Sequence, residues 1–408
     1  MRTVVSVISM VAFAVLGYTV SAPAQQQSGT SPAGSSGSSQ QQASTTPTQS
    51  SPSPLTTPSI TGPLQAAPPT TFEAGPLGRL SLNGVLSGFG LVQGNHVTGD
   101  DTGQAALSDG QVFVQKPDGW WQFYVQAGAY NILSLGTPFM ATGKQVDNLY
   151  GPVPVVYLKL APAKNTSIQI GELPTLIGSE YTFDFENMNV ERGLLWNQEN
   201  AITRGIQLNQ TLGKFSASLS WNDGYYSNRY SWLSGSLTYT RGPHALTFVG
   251  MGNLSHTAYQ TVATPIQNNS QIYTLEYTYT KGNWIVQPYY QYSNVPTDAK
   301  IGIAKGASTQ SGAVLLSRTL GHGFSLTGRG EYIATTGSAS DGSQNLLYGP
   351  GSSAWSATMT PTFQKQRFFV RGDASVVRAN SLTQGDAFGK AGADSTQARG
   401  VLELGFLF

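Results

Sequence analysis

The residues best suited to chemistry crowd into one stretch. Between residues 174 and 202 stand Glu180, Asp184, Glu186, Glu191, Arg192 and Glu199, in a chain of 408 residues of which only 11% are charged. Charges that dense can orient dipolar solutes or set an ion preference. They do not have the spacing of a dedicated metal loop. Asp184 and Glu186 come nearest, but the dense run of oxygen ligands that calcium takes from one segment is missing.

Catalytic readings fare worse. The four histidines, His96, His244, His256 and His322, all fall in expected loops or turns, none on a strand beside a nucleophile. A Ser–His pair needs that proximity. The nearest phosphate-loop lookalike, Gly385 to Lys390, is too short and runs on into Ala391. With no cysteine, disulfides, thiolate metal sites, a cysteine nucleophile and a lipidated N-terminal cysteine all drop out. No catalytic, cofactor or metal residues are expected, and the chain does not read as an enzyme.

Composition shows what must position those charges. Mean hydropathy is only −0.16, so long apolar runs did not replace the missing charge. Gly, Ser, Thr, Gln and Asn fill the space, with 19 Tyr and 7 Trp. That mixture suits strands with one greasy face and one uncharged polar face. Past residue 20 no stretch approaches the roughly 18 apolar residues of a spanning helix. A net charge of +1 argues against nucleic acid as a partner.

The N-terminus reads as an address followed by a tether. Residues 1–24 have a secretory signal's parts: Arg2, an apolar run from Val4 to Leu16, and a small-x-small site at Ala22-Pro23-Ala24. Residues 25–74 are expected to be a disordered Ser/Pro/Gln-rich periplasmic linker, too poor in apolar side chains to offset its ordering entropy.

From residue 75 to 408 the pattern is all-β. Trp121, Phe123, Val125 and Ala127 alternate with Gln122, Tyr124 and Gln126, and Tyr273, Leu275 and Tyr277 alternate with Thr274, Glu276 and Thr278. Period-2 alternation sorts one face to lipid and the other to a lumen. Tight links at 116–119, 161–165, 211–214, 241–244, 281–283, 319–323 and 362–366 alternate with long ones at 93–105, 132–152, 174–202, 223–230, 254–270, 295–308, 335–351 and 379–395. This predicts a transmembrane antiparallel up-and-down β-barrel of about 16 strands, with short periplasmic turns and long external loops. Fourteen or eighteen strands also fit, because the segments 106–115 and 309–319 alternate weakly. The last strand puts Leu402, Leu404, Phe406 and the terminal Phe408 on one face and Arg399 and Glu403 on the other.

The run Gly171-Glu172-Leu173-Pro174-Thr175-Leu176-Ile177-Gly178, followed by Arg192-Gly193-Leu194-Leu195, resembles the OmpL-like β-barrel porin family. Gly312 to Leu316, Phe324-Ser325-Leu326 and Arg329-Gly330-Glu331-Tyr332 are similar to that family's downstream hairpin. The resemblance implies an outer-membrane barrel with porin activity. In general porins the third loop narrows the lumen, and residues 174–202 are similar in position and length. The expected constriction is therefore Glu180, Asp184, Glu186, Glu191 and Arg192 facing Arg329, Glu331, Arg371, Asp373, Arg399 and Glu403 on the wall. Phe406 and Phe408 resemble the signal read by the barrel-assembly machinery. Expected partners are outer-membrane lipid, that machinery, small hydrophilic solutes and a homotrimer. The rival is a non-transporting barrel, an adhesin or an envelope anchor.

Overall fold

The computed structural model describes residues 58, 60, 62–258 and 265–408. The expected signal peptide, 1–24, and the linker as far as residue 57 lie outside the described residues. After a short strand β1 (Thr70–Glu73) come β2 (Arg79–Gly94), β3 (Gly103–Lys116), β4 (Trp121–Tyr130), β5 (Val155–Ala163) and β6 (Thr166–Pro174). Next follow β7 (Ile202–Leu212), β8 (Phe215–Asn222), β9 (Trp232–Arg241), β10 (His244–Asn253), β11 (Gln271–Lys281) and β12 (Trp284–Val295). The last are β13 (Ala307–Gly321), β14 (Phe324–Thr335), β15 (Ser353–Lys365), β16 (Phe368–Asn380) and β17 (Thr396–Leu407).

Each strand from β2 onward pairs antiparallel with its sequence neighbour, and β17 returns to β2 from Ala398↔Gly94 to Leu407↔Val85. The ring β2–β17 is a closed barrel of sixteen strands, so no edge is left unpaired. The two weakly alternating segments form β3 and β13, which excludes fourteen and eighteen. Short turns lean on glycine where the backbone enters the left-handed region: Gly213, Gly242 and Gly282 have φ of 65°, 59° and 58°. Side chains with a Cβ adopt that region reluctantly.

The alternation sorts side chains as the sequence predicts. Leu86, Leu158, Ile206, Leu246, Leu275, Val314, Met359, Leu402 and Leu404 are exposed on the outside of the ring. Their strand neighbours turn inward. One bulge breaks the rhythm: the β2–β3 register jumps from Ser87↔Asp109 to Gly88↔Leu107. Because a bulge inserts an extra residue on one strand, the consecutive residues Ser108 and Asp109 both end up fully buried inside.

The last part of the stretch read as linker belongs to the barrel's packing. β1 pairs with β2 from Thr70↔Leu82 to Glu73↔Arg79, just beyond the part of β2 that β17 occupies. Upstream of it, Leu64 is buried in a cluster with Val85, Phe113, Tyr124, Phe185 and Phe369. Gln65 and Gln364 exchange hydrogen bonds of 2.7 and 2.9 Å, and Asn83 Nδ2 donates to Ala67 O at 3.2 Å. Gly62 packs against the carbonyl of Asn187 with no room for a Cβ.

Candidate functional site

The third long connection, residues 175–201 between β6 and β7, is buried along most of its length. It is held by short-range bonds to the inward faces of the strands around it. On β14, Arg329 Nη1 donates to Glu180 Oε1 at 2.5 Å and to Glu191 O at 2.6 Å, and its Nη2 donates to Thr358 Oγ1 at 3.1 Å. Glu331, two residues on, receives the Leu194 N–H at 3.1 Å and the Ser356 hydroxyl at 2.5 Å. On β16, Arg371 Nη1 reaches Asn187 O at 3.1 Å while its Nε donates to Glu403 Oε2 of β17 at 2.8 Å. Asp373 accepts the Glu191 N–H at 2.8 Å, and the Glu191 carboxylate accepts from Ser375 at 2.9 Å and Arg399 at 3.2 Å. Arg399 also donates to Ser134 O at 2.7 Å, tying in the second long loop.

Within the loop, Arg192 bonds Asp184 and the carbonyl of Thr182. Ser108, turned inward by the bulge, has its hydroxyl 2.8 Å from both Asp184 Oδ2 and Glu403 Oε1. Glu180, Asp184, Glu191 and Arg192 are thus bonded to the expected wall residues or to one another, and the same loop carries Glu186. That residue is buried and lines a cavity of about 190 Å³ together with Gln126, Val155, Gly178, Glu180 and Phe183. Burial raises the carboxyls of Glu180 and Glu191 above the usual range against the opposing pull of Arg329 and Arg399. Asp184 is pushed up to about 6 by the same desolvation, Arg192 acting against it. Burial raises Glu199 well above the usual carboxylate range, and the neighbouring acids Glu276, Glu180 and Glu331 push the same way.

Ser108 and Asp109 were not among the expected residues. Simple alternation cannot place two consecutive residues on one face, and the adjacent polar pair before Gly110 was the available sign. Asp109, Asp184 and Glu403 bring carboxylate oxygens within 4.8 Å of one another. Two of the three already bond an arginine, Arg192 or Arg371, so a divalent ion there would leave positive charge in excess. On the outer rim Phe406 stacks with Phe408 and meets Phe368 at a tilt, and Phe408 N–H donates to Gly84 O at 2.9 Å.

The opposite inner wall, near the short turns, is different in kind. Gln169, Gln207, Asn209 and Ser218 form an uncharged ladder with bonds of 3.2, 2.7 and 2.8 Å, and Thr238 meets Thr247 at 2.9 Å. Apart from Gln207 these residues stay half-buried.

A family model described as "Putative beta-barrel porin-2, OmpL-like" matches residues 79–408. No curated protein matches the chain. Among solved structures, the chain is similar to the outer-membrane channel DcaP of Acinetobacter baumannii, at 9% identity and a TM-score of 0.55, covering 84% of this chain and 100% of that one. It is similar to outer-membrane OmpT of Vibrio cholerae at 10% identity and 0.54, covering 83% and 100%. The OmpF of Salmonella typhi, solved with daunomycin, aligns at 13% identity and 0.52, covering 81% and 98%. At such identities these likenesses concern the fold.

Proposed function

The chain belongs to the OmpL-like family of β-barrel porins, an outer-membrane barrel, and from that premise we propose that it passes small hydrophilic solutes by passive diffusion. The water-filled path is narrowed by the third long loop, 175–201. The observation that carries this reading is the asymmetry of the interior. The loop is bonded to Arg329, Glu331, Arg371, Asp373 and Arg399, while the Gln169–Asn209–Ser218 side keeps polar groups half-open. Fixed charges beside a low-dielectric wall set ion preference. Glu180, Asp184, Glu186, Glu191, Arg192 and Glu403 complete that selectivity zone. Barrel, loop and residues do this without catalysis or a cofactor.

The remaining assignments follow the same premise. The short turns face the periplasm, residues 1–24 are removed on export, and the linker stays on the periplasmic side. Phe406 and Phe408 engage the assembly machinery, and the barrel forms a homotrimer. Single-channel recording in planar bilayers tests the central reading: steady conductance with a measurable reversal potential is expected. A silent, correctly folded barrel would instead favour a non-transporting envelope protein. That second reading has an observation of its own. Leu64 and its neighbours, together with the long loop, occupy the interior from two directions.

A further inference from the structure

Glu199 stands in the loop just before β7, buried, with no hydrogen-bond partner on either carboxylate oxygen. Its Oε2 lies against Gly178, where a Cβ would collide with it. The next residue, Ser179, donates to Glu276 Oε2 on the inner face of β11 at 3.3 Å. The two carboxylates therefore flank the Gly178–Ser179 backbone. Among the described residues neither forms an ion pair with Lys or Arg, and the charges acting on Glu199 are those of Glu276, Glu180 and Glu331. Buried like charges without a base are costly. Elsewhere around the loop Glu180, Asp184, Glu191, Glu331 and Glu403 each face an arginine.

Two further orphans adjoin this pair. In the β11–β12 ladder Glu276 is paired with Tyr289, and Thr274 with Gln291. Opposed side chains of an antiparallel pair stand roughly 4.5–5.5 Å apart at Cβ. Tyr289 Oη and Gln291 Oε1 are both buried, at 4% and 0% exposure, and both lack a hydrogen-bond partner. The Gln291 amide nitrogen is held by Leu195 O at 3.0 Å, so the orphan is its carbonyl oxygen. Beyond Tyr289 the same row continues through Ala313 to Glu331.

We propose that Glu199, Glu276, Tyr289 and Gln291 hold a calcium-type divalent cation between the long loop and β11–β12. Every available donor is oxygen, the preference of hard cations. Two carboxylates without a base match a double charge, unlike the Asp109–Asp184–Glu403 cluster with its two arginines. Donors drawn from a loop and two strands suit calcium's tolerant geometry better than magnesium's strict octahedron. The ion pins the C-terminal arm of the loop to β11 and β12, as Arg329 and Arg371 pin its middle to β14 and β16.

The test uses the full chain in detergent at pH 8, stripped with EDTA, and reads thermal unfolding and calorimetric binding, so its outcome is separate from whether the lumen conducts. Calcium is expected to raise the unfolding midpoint by several degrees, magnesium less, and sodium chloride at equal ionic strength not at all. Glu199→Gln and Glu276→Gln should each weaken calcium binding by about tenfold or more, while Asp118→Asn, a surface acid, keeps it. Should either glutamine variant misfold, Tyr289→Phe removes one oxygen at constant shape and should weaken binding severalfold. The proposal fails if wild type shows no calcium shift, if the shift survives in the glutamine variants, or if binding by Tyr289→Phe is unaltered. A wild type indifferent to calcium beside more stable glutamine variants means that protons alone fill the pocket, which also overturns it.

Discussion

The two sides of the barrel interior are built on opposite principles. Across β14, β16 and β17 the inward face carries six charged residues, Arg329, Glu331, Arg371, Asp373, Arg399 and Glu403, all buried in a network with the long loop, with Arg371 and Glu403 both fully enclosed. Across β6–β10 near the short turns they are Gln, Asn, Ser and Thr, and they bond mainly to one another. The difference lies in what each can tolerate. A buried charge must keep its partner, so the first side can hold only one arrangement of the loop. An uncharged ladder open to water can lose a bond and replace it with solvent, since an exposed polar group is not left unsatisfied.

The sharpest way to break this comparison is to remove one member of a buried pair. Arg371→Ala leaves Glu403 without its guanidinium and the Asn187 carbonyl without a donor, and should destabilise the barrel by about 3–5 kcal/mol. Because it also deletes a fixed positive charge, the reversal potential should move toward cation preference. Arg329→Ala, facing Glu180, should do the same. Unchanged reversal potentials in both variants would show that these arginines only brace the wall.

A somewhat smaller effect is expected at Leu64. Truncation to alanine empties its place among Val85, Phe113 and Phe185 and should cost about 2–4 kcal/mol. If the segment obstructs the lumen beneath the loop, conductance rises in the same variant. Constant conductance at lowered stability would make the segment a brace alone.

Acidity acts on the charged side in a defined sense. Asp184 is raised from 3.8 to about 6, so between those values the folded state binds more protons than the unfolded one. Its contribution is therefore present at pH 4 and lost as pH rises to 6. Unfolding midpoints in detergent should fall across that window, and Asp184→Asn should flatten the slope. An identical slope in the variant would assign the effect to other carboxyls.

The smallest effect belongs to the open side. Ser218→Ala removes one bond to Asn209 in a half-exposed ladder and should change stability by no more than about 0.5 kcal/mol. Its reversal potential should match wild type. A shift as large as that of Arg371→Ala would erase the distinction between the two sides.

How much of this was legible in the sequence depended on the range of the interaction involved. Strand and loop boundaries came through because alternation and turn glycines are local. The 174–202 connection proved to be residues 175–201, and Arg329 and Arg371 do point inward. Asp109 was hidden because a bulge shifts the phase of β3, which also explains why 106–115 alternated weakly. Leu64 was hidden because a single leucine in a polar stretch carries no period. Glu276 read only as an inward-facing acid; its proximity to Glu199 depends on how the loop returns to β7.

By itself the sequence determined that a closed ring of about sixteen strands would form, which faces would meet lipid, and where the charges would stand along the chain. Those properties follow from side-chain spacing and turn chemistry, which act over a few residues. Which acid meets which arginine, which pair is left without a base, and where residues 62–67 pack were decided only in three dimensions. Charges separated by more than a hundred residues along the chain, such as Glu180 and Arg329, become partners only when the barrel closes around the loop and excludes water.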